Sequence, residues 1–145
     1  MNQFKLTFSL EKPFLPKSLE SLMISFFKEA TLNYSEQFHM SIYDKSKSVI
    51  KGYTFSYYLP NAKFQKEQIS LGMSCFEVFF SDADFAESIQ MLNSFKTMYG
   101  KSYPMKCNSM KLVSIVAQKR KEIRDSEIVV KMLSSLIVRK HKSDD

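Results

Sequence analysis

Residues 4–10, FKLTFSL, alternate without a break. Phe4, Leu6, Phe8 and Leu10 fall on one side and Lys5, Thr7 and Ser9 on the other, the period of a half-buried strand. KPFLP follows, and two prolines in four residues predict a turn, because proline cannot continue a ladder. The period then lengthens. Leu19, Leu22, Met23, Phe26, Phe27 and Ala30 recur three and four residues apart and predict a helix with Ser18 as its N-cap. NYSEQFHMSIYDKS predicts a short second helix with Phe38, Ile42 and Tyr43 as its apolar positions, and KSKSVIKG a basic loop.

YTFSYYL (53–59) is the second predicted strand, NAKFQKEQ (61–68) a connection, and ISLGMSCFEVFFS (69–81) the third strand, with Gly72 near a turn or bulge. Ser81 and Asp82 open a helix, with Asp84 placed for a capping box. Phe85, Ile89, Leu92 and Phe95 or Lys96 form its inner stripe, Met91 and Met98 lie beside it, and Gly100 is its left-handed stop. SYPMKCNSMKLVSIVAQ (102–118) supplies a fourth strand. KRKEIRDS (119–126) reads as a charged turn and EIVVKMLSSLIVRK (127–140) as a further extended segment. The expected fold is α+β: a ferredoxin-like (RNA-recognition-motif-like) βαββαβ two-layer sandwich with an extra C-terminal strand or hairpin. One domain over residues 1–140 and a charged tail at 141–145 are expected.

The aromatic stretch YTFSYYLP invites a reading as a base-stacking platform. Alternation places Tyr53, Phe55, Tyr57 and Leu59 on one face and Thr54, Ser56 and Tyr58 on the other. In a two-layer fold the larger apolar set faces the helices, so the stretch reads as core with Tyr58 alone on the open face.

Charge changes the picture more than composition does. The formal net charge is +6, and residues 1–100 are neutral in sum; residues 101–145 carry eleven Lys/Arg against five Asp/Glu. A field concentrated at one end suits polyanions or an acidic protein surface. Cys75 and Cys107 have neither metal-ligand spacing nor a disulfide framework, which fits a cytoplasmic chain with reduced thiols. No apolar run is long enough to span a membrane, and MNQFKLTFSLEK reads as strand, not as a signal peptide.

FKLTFSLEKPFLP, LMISFFKEA, YTFSYYLP, FFSDADF followed by MLNSF, then KSYPM and KMLSSLIVRKH occur in that order. Together they resemble the N-terminal half of the CRISPR-repeat endoribonucleases of the RAMP superfamily. Members of that family carry two ferredoxin-like domains, the second with a glycine-rich loop; this sequence ends at RKHKSDD and has three scattered glycines, and it reads SS (Ser134, Ser135) where the family has SP. The resemblance implies a metal-independent cut in which the 2′-hydroxyl attacks the adjacent phosphate, a step that needs a base, an acid and a cation. Lys51 matches a lysine the family places before its second strand. Tyr43 stands where the family places histidine, and a phenol is a poor base. His39, one helical turn earlier, is the substitute.

His39, Tyr43 and Lys51 are therefore the weak catalytic candidates. The phosphate-contact candidates are Lys45, Lys47 and Lys51 around one loop, Lys119, Arg120, Lys121 and Arg124 in a second cluster, and Arg139, Lys140, His141 and Lys142 at the end. No metal site and no cofactor are expected. Asp82 and Asp84 read as helix N-terminal charges. The expected function is a non-catalytic relative that binds CRISPR repeat RNA (or crRNA) or a CRISPR effector or processing protein. A phage-borne mimic that blocks such a complex is one alternative and a weak endoribonuclease giving a 2′,3′-cyclic phosphate another. A homodimer through the face that a second domain would cover is a further expectation.

Overall fold

The alternation of FKLTFSL ends up at the centre of a sheet. The computed structural model describes residues 2–44, 46, 51–119 and 122–131. In chain order the elements are β1 (Asn2–Leu10), β2 (Phe14–Pro16), α1 (Leu19–Tyr34), α2 (Glu36–Tyr43), β3 (Tyr53–Tyr58), β4 (Lys63–Phe64), β5 (Gln68–Ser70), β6 (Cys75–Asp82), α3 (Phe85–Met98), β7 (Ser102–Met105) and β8 (Asn108–Gln118). Five strands form one antiparallel sheet in the order β3-β6-β1-β8-β7. Without the added edge strand β7, the chain reads βαββαβ around β1, β3, β6 and β8, with α1 and α3 packed on one face: the ferredoxin-like plan. A register shift opposite Thr7 and Phe8 admits Val113 as an extra residue in β8, so Leu112 and Ile115 both turn toward the core.

The core is aromatic. Phe8 stacks on Phe76 at 5.0 Å and meets Phe26 edge-on at 5.2 Å. Phe27 of α1 presents its ring edge-on to Phe55 at 5.1 Å, Phe80 at 5.6 Å and Tyr53 at 5.9 Å. Edge-to-face pairs of this kind add to the gain from burial. Tyr53, Phe55 and Tyr57 thus face the helices, and Tyr58 is 53% exposed on the other side.

Several sequence expectations are corrected. Residues 14–16 do form a strand despite the two prolines. It leaves the main ladder and starts a small second sheet, β2-β5-β4, in which β5 is the middle strand. The expected third strand is two strands, β5 and β6, bent at Gly72. The expected fourth strand is the β7–β8 hairpin, turned at Lys106 and Cys107, where Cys107 takes φ 58°. Ser18 makes no side-chain cap bond, whereas Ser35 caps α2 by accepting from the Phe38 amide at 3.2 Å. The helix expected from Ser81 begins at Phe85 with Asp84 as its cap. Its inner stripe is Ser88, Met91, Ser94, Phe95 and Met98, while Phe85 and Ile89 are exposed. Gly100 does take the left-handed conformation, φ +73°. Residues 127–131 form no strand and are exposed; the rest of the expected C-terminal extended segment lies outside the described residues. Among the described residues no helix is long and apolar enough to cross a membrane.

Candidate nucleic-acid interface

The corner between α1 and α2 is set by Ser35, whose extended backbone (φ −163°) breaks the helix and whose hydroxyl starts the next one. That corner brings Thr31 near the end of α1 against His39 in the middle of α2. The buried Thr31 hydroxyl has a single proton, and it goes to the Lys28 carbonyl at 2.9 Å. Its oxygen therefore accepts from His39 Nδ1–H, also at 2.9 Å. With Nδ1–H donated to Thr31, a neutral His39 ring carries its lone pair on Nε2, and among the described residues no partner faces that nitrogen.

One turn on, the His39 and Tyr43 rings lie 5.3 Å apart. Tyr43 points inward. Its hydroxyl bonds the Tyr53 hydroxyl at 2.8 Å, and burial, then that bond, hold it far above the ordinary phenol range. Two exposed ammonium groups gather at the same ring: Lys51 Nζ is 5.1 Å from its centroid and Lys28 Nζ 5.5 Å. Each contact contributes about 0.5–1 kcal/mol at an exposed site. Neither lysine is in an ion pair among the described residues. The structure thus brings together all three weak catalytic candidates, His39, Tyr43 and Lys51, and adds Lys28, Thr31 and Tyr53, which the sequence reading missed.

Beneath Lys51, the start of β3 meets the end of β6. The Gly52 carbonyl accepts from the Ala83 amide at 3.1 Å, and a Cβ on Gly52 would lie 3.3 Å from Asp82 Oδ1 and 3.6 Å from Glu87 Oε1. Asp82 is fully buried at the end of β6, so of the two acids expected as helix N-terminal charges Asp84 alone caps α3. Its Oδ1 accepts from the Asp84 amide at 2.9 Å, and its Oδ2 has no N–H or hydroxyl donor among the described residues. The Glu87 carboxyl, when it holds its own proton, can bond toward the Asp82 side chain. Burial first, then that bond and the charges of Asp82 and Asp84, raise the Glu87 pKa to about 7. Burial also pushes the Tyr53 hydroxyl upward, with the Glu87 charge adding to it.

Of the other phosphate-contact candidates, Lys119 and Arg124 are exposed. Arg124 pairs with Glu122 at 3.0 Å, and Lys119 has no ion-pair partner among the described residues. Lys45, Lys47, Arg120, Lys121, Arg139, Lys140, His141 and Lys142 lie outside the described residues. Among the described residues no three of His, Cys, Asp or Glu are grouped to hold a metal ion.

The fold and this corner define a ferredoxin-like domain with Lys28 and Lys51 gathered at one end. No family model matches the chain, and no curated protein matches it. Solved structures do. An RAMP protein binding different RNA substrates superposes with a TM-score of 0.69 at 14% identity, over 85% of this chain and 50% of its own. A Cas6-related protein from Pyrococcus furiosus gives 0.69 at 12% identity, over 85% and 50%. A CRISPR-associated protein, Cas6, gives 0.58 at 9% identity, over 83% and 49%. At these identities the likeness shows the fold, and the neighbours are of the kind the sequence resembles. The chain spans about half the length of each.

Proposed function

We propose that this domain binds RNA, of the CRISPR-repeat class that the resemblance implies, through the cationic corner at Tyr43, and holds it without cutting. The observation that carries the reading is the convergence of Lys28 and Lys51 on one ring beside a histidine with a free lone pair. Two ammonium groups gathered there repel each other until an anion sits between them, and a backbone phosphate is such an anion. The fold neighbour that binds different RNA substrates supports the same class of ligand. Tyr43, where the resemblance calls for a base, is locked inward on Tyr53 and supplies none.

A specific observation favours one other reading. The tautomer of His39 leaves Nε2 able to take a proton from a 2′-hydroxyl, with Lys51 at hand for the developing charge. One experiment separates the two: 5′-labelled repeat RNA is incubated with the protein and analysed by native and denaturing gels. The binding reading expects retention that falls steeply with salt and weakens with Lys28→Ala or Lys51→Ala, with no new product. A 2′,3′-cyclic phosphate product that is lost in His39→Ala establishes cleavage instead. Absence of any RNA retention at low salt overturns both.

A further inference from the structure

At the far end of β3 from Lys51, the chain builds a second feature that the cationic corner does not use. Residues 61–71 form a hairpin that projects β4 beyond the small sheet. The row Leu15–Ile69–Phe64 runs across that sheet. Leu15 and Ile69 are buried in the core, but Phe64 at the row's outer end is 75% exposed, more than almost any other large apolar side chain among the described residues. A ring left that bare contributes little to folding. The same hairpin carries Lys63 and Lys66, and Lys17 reaches its tip; all three are exposed and none is in an ion pair among the described residues, while Glu67 is the one acid on the hairpin.

The hairpin is braced. Gln65 N–H donates to the Gln68 carbonyl at 2.9 Å to close the tip. Gly72 N–H donates to the Pro60 carbonyl at 2.9 Å to close the base, and Lys17 Nζ reaches the Lys66 carbonyl at 3.4 Å. Phe64 is therefore presented on a fixed arm. Between this arm and Lys51 runs β3, the terminal strand of the sheet, with Tyr58 exposed near its end. From Tyr53 to Tyr58 the strand covers about 17 Å at about 3.3 Å per residue.

We infer that the Phe64 hairpin is a base-stacking clamp for single-stranded nucleic acid, in which a base lies on the Phe64 ring, Lys17, Lys63 and Lys66 hold the flanking phosphates, and the strand continues along β3 past Tyr58 toward Lys51. The inference rests on the RNA-binding reading and extends it to a second contact. A flat ring among uncompensated lysines is the combination that single-strand binders use, aromatic platforms along a positive groove. A lysine-only patch would serve any polyanion; the ring selects one that carries planar bases.

The chain has no tryptophan, so Phe64→Trp puts a sole indole fluorophore on the clamp while keeping a stacking surface. A 12-nucleotide single-stranded RNA of mixed sequence is titrated against it, and against wild type and Phe64→Ala by polarisation of a label on the RNA. The expected results are quenching of the Phe64→Trp emission, affinity weakened about 5- to 100-fold by Phe64→Ala, and a slope of log K against log salt shallower by about 1.4 in Lys63→Gln/Lys66→Gln. The side chain of Phe64 is outside the core, so the alanine variant folds, and an unchanged far-UV spectrum documents it. Binding that falls with Lys51→Ala but ignores both Phe64 variants overturns the clamp and leaves the RNA reading standing. Wild type that binds no RNA overturns both. Quenching of equal depth by polyglutamate overturns the clamp in favour of an acidic protein partner.

Discussion

The raised pKa of Glu87 makes stability depend on pH in an unusual direction. Glu87 has an ordinary carboxyl value of 4.5 in an open chain and about 7 in the fold. Between those values the folded state binds the extra proton, so stability is highest below about pH 4.5 as far as this group is concerned, falls as pH rises through the window, and is fully lost above about pH 7. Taken whole, the displacement corresponds to about 3 kcal/mol. Glu87 is partly exposed, so solvent screening reduces its contribution to about 1 kcal/mol. Glu87→Gln keeps a donor for Asp82 at every pH and cannot ionise. It is expected to match wild type at pH 5 and to exceed it by about 1 kcal/mol at pH 8, a shift of about 0.5 M in the urea midpoint for a slope near 2 kcal/mol/M. Urea titrations of both proteins at pH 5, 6, 7 and 8 measure the difference directly. A difference of the same size at pH 5 and pH 8 refutes the raised Glu87 pKa.

Four further substitutions test the frame of the fold. The side chain of Asn108 binds the Lys12 amide, the Lys12 and Phe14 carbonyls and the Ser109 amide, all at 2.8–2.9 Å. Asn108→Ala leaves those groups without partners and is expected to destabilise by about 2–3 kcal/mol; a loss under about 0.5 kcal/mol in urea unfolding contradicts the clamp. Ser35→Ala should cost about 1 kcal/mol and Ser18→Ala close to nothing, because only the first caps a helix; equal melting shifts count against the assignment. At Gly72, a Cβ would lie 2.8 Å from the Asn61 Cβ. Gly72→Ala is therefore expected to destabilise by about 1–3 kcal/mol and to loosen the 61–71 hairpin, seen as faster amide exchange there and not in β1.

Wherever a period was clean, the fold was legible. β1 and β3 have the burial that alternation implies, down to the single outward Tyr58. α3 was misread because polarity and burial part company along it. Ser88 and Ser94 go inside by satisfying their hydroxyls on the Phe85 and Gln90 carbonyls, while Phe85 at the first turn lies beyond the core. The β7–β8 turn carries no glycine, and a cysteine takes the left-handed position there. The helix cap came three residues later than expected: Asp84 accepts from the Glu87 amide, and the Asp84 amide turns to Asp82 Oδ1. His39, Tyr43 and Lys51 were reachable from the resemblance, and their meeting is real. Thr31 was not: its bond to His39 spans eight residues across a helix corner, a separation with no sequence period. Phe64 was hidden in a stretch read as connection, because two residues of strand are too short to show alternation.

The place of β1 also bears on how the chain is made. It lies mid-sheet, joined to β6 on one flank and to residues 110–118 on the other. At about 5–20 residues per second of synthesis, its second neighbour emerges from the ribosome about 5–20 s after it does. During that interval Phe4, Leu6 and Phe8 have no finished sheet to enter, so the nascent chain keeps apolar surface uncovered until β8 has left the tunnel.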